Sequence, residues 1–129
     1  MKLIKAIVRP NMVDNIKEAL GKLNIAGMTV TEVRGHGRQK GHTAVYRGRE
    51  YEVSLLPKME IEVVVPDSSV DEAIKSIIGA ARTGEIGDGR VFVMPVGRVV
   101  CVCCLHEILL RYPFTGPLRG RGYFAAATR

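Results

Sequence analysis

The first half of the chain alternates between two hydrophobic patterns. Residues 2–9, KLIKAIVR, alternate in polarity and are rich in isoleucine and valine, which is typical of a half-buried strand. After Pro10, apolar residues recur at helical spacing, so the pattern predicts a helix over Val13–Asn24. Gly27 interrupts the chain, and residues 28–35, MTVTEVRG, alternate again. They predict a second strand.

The second half repeats this order after a long polar insertion. Residues 59–66, MEIEVVVP, predict a strand that ends in proline. Ser69 and Glu72 have the spacing of a capping box at a helix start. One apolar helical face follows, formed by Val70, Ile74, Ile77, Ile78 and Ala81. Residues 90–96 predict a fourth strand, and residues 97–103 predict either its extension or a short fifth strand.

The two halves are also alike in sequence. The first reads VRPNMVDNIKEAL and the second VVPDSSVDEAIKSII. Two tandem βαβ units predict an α+β fold of the ferredoxin-like kind, a split sheet with both helices on one face. The third predicted strand carries apolar side chains on both faces, with Ile61, Val63 and Val65 on one and Val64 on the other. We therefore expect copies of the chain to bury the second face by association.

The length and charge of the chain limit the class of protein. The chain has 129 residues, which is enough for one domain with one core. Its formal net charge is +6, and residues 101–129 carry four arginines and one glutamate. No predicted face concentrates the rest of the charge, so we expect no nucleic-acid partner.

No run approaches the ~20 apolar residues that span a bilayer. The N-terminus is too short and too charged for a secretory signal, so we expect a cytoplasmic protein without direct membrane insertion. The three cysteines, Cys101, Cys103 and Cys104, lie within four positions. This is not a disulfide framework, and a zinc site would require a second cluster of ligands.

The long insertion, residues 37–55, is the first unpatterned segment. Loops longer than about 12–15 residues are uncommon in compact domains and are often functional. Two interpretations are open at this point, a functional arm and a simple extended hairpin.

The second unpatterned segment is RTGEIGDGR, residues 82–90. Its three glycines permit close backbone approach to a ligand, and exposed N–H groups in such a loop can cradle an anion. As structure alone, the segment is a helix end followed by a turn. It is not a P-loop, because it lacks the lysine–hydroxyl pair.

Three stretches resemble signature sequences of the PII signal-transduction proteins, the nitrogen regulatory family. They are TVTEVRGHGRQKGHTAVYRGREY, LLPKMEIEVVV and ARTGEIGDGRVFVMPVGRVV. The resemblance covers residues 1–100 and implies a trimer of ferredoxin-like subunits whose sheets line a central barrel. It implies a non-enzymatic regulator that senses ATP or ADP and 2-oxoglutarate. Residues 37–55 correspond to the family's T-loop, which docks onto partners, and residues 82–90 to its B-loop.

The resemblance also implies a nucleotide site between subunits. Gly35 and Gly37 would let the chain pass beside the nucleotide, and Arg38 and Arg90 would contact its phosphates. The full implied set of nucleotide-binding residues is Thr29, Gly35, Gly37, Arg38, Gln39, Glu62, Val64, Gly87, Asp88, Gly89 and Arg90. Among these, Thr29, Glu62 and Val64 would lie near the adenine and ribose.

The effector 2-oxoglutarate would bind next to the nucleotide. Gln39 would ligate Mg²⁺ through its amide oxygen, with phosphate and 2-oxoglutarate oxygens completing the coordination. Arg9 and Lys58 would pair with the distal carboxylate, and Gly87 would line the same site. Taken one at a time, charged residues on strands more often face solvent than form a site.

The resemblance implies two further sites in the T-loop. Tyr51 matches a position that many bacterial relatives have uridylylated, and packing or partner contact is the alternative. Arg47 matches an arginine that enters the pore of an ammonium channel in related complexes, and a solvated charge is the alternative. The implied partners are therefore an ammonium transporter and nitrogen-assimilation enzymes.

After Val100 the chain departs from the family pattern. Cys101 and Cys103 stand where family arginines reach the phosphates of the neighbouring subunit's nucleotide. We expect weaker nucleotide binding, because each charge-assisted hydrogen bond contributes about 1.5–3 kcal/mol. The tail, residues 101–129, is either a native divergence or the product of a shifted reading frame, and the coding DNA around codon 100 distinguishes the two.

Two other functions fit the residues less well. An RNA-binding ferredoxin-like domain would carry aromatic residues on its central strands for base stacking, whereas the predicted strands offer only Phe92. A small enzyme would carry a nucleophile–base pair or a carboxylate dyad, and no such pair recurs in the patterned part.

Overall fold

In the computed structural model of the chain, the described residues are 1–25, 27–38, 43–52, 55–100 and 102. The elements in chain order are β1 (Lys2–Val8), α1 (Val13–Lys22), β2 (Thr29–Gly35), β3 (Thr43–Tyr46), β4 (Arg49–Glu52), β5 (Leu56–Val65), α2 (Val70–Ala81) and β6 (Gly89–Pro95). Short 3₁₀ turns at Pro10–Met12 and Asp67–Ser69 precede the two helices. The same strand, proline, turn and helix therefore occur twice.

Four strands form one antiparallel sheet in the order β2–β5–β1–β6. Strand β5 lies between β1 and β2, and β1 lies between β5 and β6. Each half of the chain thus inserts a strand between the two strands of the other half. This confirms the predicted α+β fold with a split antiparallel sheet and is consistent with a ferredoxin-like arrangement.

The core lies between one face of this sheet and the two helices. Alternate residues of the central strands are fully or almost fully buried there, because successive strand side chains point to opposite faces. They pack on the apolar stripes of α1 and α2. The largest fully buried side chains are Ile4, Ile16, Leu20, Ile61, Ile77, Val63 and Val65.

The ends of the helices differ from the prediction. Helix α1 ends at Lys22 rather than Asn24, because Asn24 has a left-handed backbone conformation with φ 57°. Asparagine is one of the residues that adopt this conformation at a helix end. The predicted capping box of Ser69 and Glu72 is also wrong. Ser69 belongs to the 3₁₀ turn, with φ −104° and ψ 0°, and makes no side-chain capping bond.

Strand β5 begins at Leu56 rather than at Met59, and it includes Pro57. Strand β1 pairs with β5 only from Met59 onward. Pro57 therefore has a strand neighbour on the β2 side alone, and proline is tolerated at such edge positions. Strand β6 runs one residue earlier than predicted, and among the described residues beyond Pro95 only an isolated bridge at Val100 follows it.

The insertion contains a two-stranded ribbon, β3–β4, in which Thr43 pairs with Glu52 and Tyr46 with Arg49. Arg47 and Gly48 join the strands, with φ values of 50° and 74°. Two consecutive positive φ values are characteristic of a type I′ hairpin turn, and the glycine suits the second position. The insertion therefore contains a hairpin, which is compatible with both interpretations of this segment. Residues 39–42, 53 and 54 lie outside the described residues.

The sheet face opposite the helices is called the open face. It is partly apolar, since Val64, Phe92 and Met94 remain between 36% and 45% exposed. Its centre is charged, because Lys5 lies there between Glu60 and Glu62. The expected second apolar face is thus present but interrupted at its centre by this charged cluster. Within the described part of the chain, neither helix is long and apolar enough to cross a membrane.

Candidate functional site

The B-loop is organised around the carboxylate of Asp88. The Thr83 N–H donates to Asp88 Oδ2 at 2.8 Å, and the Gly84 N–H donates to the same oxygen at 2.9 Å. The Thr83 hydroxyl donates to Asp88 Oδ1 and accepts from the Glu85 N–H at 3.2 Å. Asp88 therefore links the two ends of the loop through its hydrogen bonds to Thr83 and Gly84.

These bonds stabilise the ionised form of Asp88. The hydrogen bond from the Thr83 hydroxyl is the largest cause, opposed by burial, and the N–H groups of Thr83 and Gly84 and the Arg9 side chain act in the same direction as the hydroxyl. The pKa of Asp88 is lowered to about 2. A carboxylate that accepts several hydrogen bonds stays ionised far below neutral pH. Asp88 is thus a fixed negative charge at every physiological pH.

Gly89 is the residue at which the loop enters β6. Its φ is +123°, and a Cβ built there would lie 1.8 Å from the carbonyl oxygen of Ile7. No side chain fits at this distance, so glycine is required for β6 to pair with β1. Gly84 and Gly87 also have positive φ values, 90° and 98°, which glycine adopts without steric penalty.

Arg9, at the end of β1, reaches into the B-loop. Its Nη2 donates to the carbonyl oxygen of Ile86 at 3.0 Å, and its Nε donates to Asp88 Oδ1 at 3.3 Å. A longer ion pair of 3.8 Å joins Nη2 to Glu85. The guanidinium is mostly buried, so Arg9 attaches the loop to the sheet.

Lys58, on β5, approaches the loop from the other strand. Its Nζ donates to the carbonyl oxygen of Gly87 at 2.6 Å. Burial is the main cause that lowers the pKa of Lys58, and the nearby charge of Arg9 lowers it further, against the opposing effect of Asp88. Two cations therefore converge on consecutive carbonyl groups of one glycine-rich loop, from segments remote in sequence.

The structure thus brings together Arg9, Lys58, Gly87 and Asp88 from the predicted set. Gly35 lies beside them, since a Cβ on Gly35 would be 3.9 Å from Lys58 Cγ.

Other predicted residues lie farther along the open face. Thr29 pairs directly with Glu62, and Val64 follows on the same face of β5. Glu62 is four residues from Lys58, about 13 Å along a strand. Arg90 is paired with Ile7 on β1. The predicted site is therefore divided within one chain into a loop end and a central part of the open face.

The remaining predicted residues lie in or near the insertion. Gly37 and Arg38 are exposed just beyond β2, and Arg47 is exposed in the hairpin turn. Gln39 lies outside the described residues, as do Cys101 and Cys103, and for Tyr51 only the backbone is described. Their predicted roles stay predictions.

Two residues of the site were missed from the sequence. Thr83 was missed because its contact with Asp88 depends on the path of the loop. Lys5 was missed because a lysine on an alternating strand usually faces solvent. In the structure its Nζ lies 3.1 Å from Glu60 Oε1 and 3.0 Å from Glu62 Oε1. The only available signal for Lys5 was its opposite charge to two glutamates on a neighbouring predicted strand.

Comparison with known proteins is consistent with this geometry. The family profile described as "Nitrogen regulatory protein P-II" matches residues 1–103. The chain is 57% identical over 100 residues to nitrogen regulatory protein P-II 1 of Escherichia coli K12, covering 78% of this chain and 89% of that protein. It is 55% identical to nitrogen regulatory protein P-II of Haemophilus influenzae and 56% identical to that of Klebsiella oxytoca, each over 100 residues with the same coverage.

Proposed function

Because the chain belongs to the nitrogen regulatory P-II family, we propose that it is a homotrimeric sensor of ATP or ADP and 2-oxoglutarate. In this proposal it acts on an ammonium transporter and on nitrogen-assimilation enzymes through the T-loop. It is a regulator and not an enzyme. The convergence of Arg9 and Lys58 on the B-loop is the observation that carries this proposal.

The loop end of the site suits an anionic effector. Lys58 and Arg9 bind the carbonyl oxygens of Gly87 and Ile86 at 2.6 and 3.0 Å. A carboxylate is a stronger acceptor for these cations than a neutral carbonyl group. The pKa of Lys58 is lowered partly by the charge of Arg9, and a bound carboxylate would oppose this effect. The distal carboxylate of 2-oxoglutarate fits this chemistry.

In this proposal the nucleotide lies along the open face of the sheet. Arg38 and Arg90 would bind its phosphates, and Thr29, Glu62 and Val64 would contact the nucleoside. Gln39 would contribute an amide oxygen to Mg²⁺, a hard cation that prefers oxygen ligands. When bound, Mg²⁺ would supply the charge that allows phosphate and 2-oxoglutarate to lie side by side.

Assembly into a trimer would complete the site. The open face leaves Val64, Phe92 and Met94 exposed, and exposed apolar surface of this kind favours association. A cleft between subunits would bring the B-loop of one copy near the open face of another. Light scattering at micromolar concentration should then give about three times the chain mass.

The RNA-binding alternative is disfavoured by the open face itself. Its central strand β5 presents Glu60 and Glu62 to solvent-accessible space. Carboxylates at the centre of a sheet repel the phosphates of RNA. Phe92, the exposed aromatic residue there, lies on the edge strand β6.

Calorimetry on the full-length protein tests the proposal. We expect 2-oxoglutarate to bind only when ATP and Mg²⁺ are present, because the metal is the shared ligand. Replacing Mg²⁺ with a chelator should abolish effector binding and leave weaker nucleotide binding. Effector binding without any nucleotide would contradict the shared-metal arrangement. Absence of binding by any adenine nucleotide would contradict the sensor itself.

A further inference from the structure

Lys5 lies at the centre of an ion triad on the open face. Its ammonium contacts Glu60 Oε1 at 3.1 Å and Glu62 Oε1 at 3.0 Å. The side chains of Lys5, Glu60 and Glu62 are 30%, 22% and 33% exposed, respectively. These pairs are partly protected from water, so their attraction is screened less than that of a surface pair.

The strand register explains why one lysine contacts two carboxylates. Lys5 is the direct cross-strand partner of Glu62 in the β1–β5 pairing, and Glu60 is the diagonal neighbour. Glu60 and Glu62 lie on the same strand face, about 7 Å apart, where two like charges repel each other. The hydrogen bond to Glu62 is the main cause that raises the pKa of Lys5, and the hydrogen bond to Glu60 raises it further. The lysine therefore stays charged and contacts both carboxylates at once.

The triad determines what Glu62 can offer a ligand. An ionised carboxylate is an acceptor only, with two oxygens and about four acceptor positions. One bond to Lys5 through Oε1 fixes the direction of the group and leaves acceptor capacity beside Thr29, the residue that pairs with Glu62 on β2. A ligand group that meets Glu62 must therefore donate a hydrogen bond.

We propose that Lys5 is a positioning residue, which holds Glu62 as an acceptor for the nucleoside part of the bound nucleotide. It thereby selects ligands that donate from a sugar hydroxyl or an exocyclic amine. The two carboxylates outnumber the one ammonium, so the triad also repels phosphates and directs them toward Arg38 and Arg90. This inference rests on the proposed nucleotide site and adds to it the residue that sets nucleoside selectivity.

The test measures selectivity rather than affinity alone. Calorimetry on the full-length protein compares ATP with 2′-deoxy-ATP, 3′-deoxy-ATP and purine riboside triphosphate, which each lack one donor. For the wild type, at least one analogue should bind about tenfold more weakly than ATP, because a charge-assisted hydrogen bond is lost. In Lys5→Met this ratio should fall toward one, and Lys5→Arg should retain it.

Two controls separate positioning from a general structural role. Glu60→Gln removes the other carboxylate of the triad and should keep the selectivity ratio. Lys2→Met removes a lysine of the same strand that pairs with Asp67 and should also keep it. If Lys5→Met weakens all four nucleotides equally, or if Glu60→Gln loses selectivity, the proposal is overturned.

Two further outcomes are also decisive. A wild type that binds ATP and all three analogues equally overturns the role of Lys5 while leaving the sensor proposal intact. A wild type that binds no nucleotide refutes the sensor proposal and this inference with it. Should Lys5→Met fail to fold, Lys5→Ala, which also removes the donor, replaces it with the same expected loss of selectivity.

Discussion

Lys58 and Gly87 are joined by a 2.6 Å hydrogen bond from the lysine ammonium to the glycine carbonyl, across 29 residues of sequence. The bond connects strand β5 to the B-loop. If the proposed effector binds Lys58, its binding and the position of the loop would be linked through this contact.

Replacing Lys58 should reduce effector binding more than nucleotide binding. Lys58→Met removes a charge-assisted donor worth about 1.5–3 kcal/mol, so 2-oxoglutarate should bind about tenfold to a hundredfold more weakly in the presence of Mg-ATP. Lys75→Met, on the exposed side of α2, is the matched control and should change nothing. Calorimetry measures the affinity of both variants for 2-oxoglutarate. Equal affinities would show that Lys58 does not belong to the effector site.

Gly89 should not tolerate a side chain. In Gly89→Ala the new Cβ would lie 1.8 Å from Ile7 O at a φ of +123°, so β6 must move away from β1. Strained backbone alone costs about 1–3 kcal/mol, and the overlap adds to this. Gly79→Ala, in α2 with nothing within 4 Å, should instead stabilise by about 0.5–1 kcal/mol. Urea unfolding at one fixed protein concentration compares them. Similar unfolding midpoints for both variants would show that β6 pairs differently.

The Asp88 carboxylate should make stability depend on acid pH. Its pKa is about 2 in the folded protein against an ordinary value of 3.8, so the folded state binds this proton less readily than the unfolded chain. The contribution of Asp88 is therefore complete well above pH 3.8 and is lost as the pH falls to about 2.

This dependence is measured with Asp88→Asn. The variant should unfold at lower urea than the wild type at pH 7, and the difference should shrink between about pH 4 and pH 2. Thr83→Val, which removes the largest cause of the shift, should behave in an intermediate way, and Thr83→Ser should resemble the wild type. A difference between wild type and Asp88→Asn that persists at pH 2 would show that the charge of Asp88 is not responsible.

Restoring arginine at both Cys101 and Cys103 should tighten ATP binding. The family resemblance places these positions at the phosphates of a neighbouring subunit's nucleotide. Two partly exposed guanidinium contacts are together worth about 1–3 kcal/mol, measurable by calorimetry. Arg98→Ala, outside the implied nucleotide set, is a comparison substitution. Tight binding by the native chain, unchanged by the double substitution, would mean that the cysteines do not face the phosphates.

Sequence patterns predicted the fold well because burial alternates strictly along β1 from Leu3 onward and along β5 from Glu60 onward. Ile4, Ala6 and Val8 face the helices, and the period of two is visible without coordinates. Asn24 was misjudged, since a left-handed residue ends α1 while the apolar period continues to Leu23. Local backbone conformation, which hydrophobic spacing does not report, decided that boundary.

The candidate site was predicted through resemblance more than through pattern. Arg9 and Lys58 look like ordinary strand charges in the sequence, and only the sheet order brings both to the B-loop. Thr83 and Lys5 were not predicted at all. Their roles depend on distances of about 3 Å between specific atoms, which the spacing of residue types does not determine.

The interleaved order of the sheet has a consequence for synthesis on the ribosome. Both strand neighbours of β1 in this sheet, β5 and β6, belong to the second half of the chain. When the first half emerges, β1 and β2 have no strand between them, and the apolar face of α1 has an incomplete sheet to cover. At about 5–20 residues per second, a nascent chain waits several seconds for β6. The apolar face of α1 therefore stays incompletely covered until β6 has emerged from the ribosome.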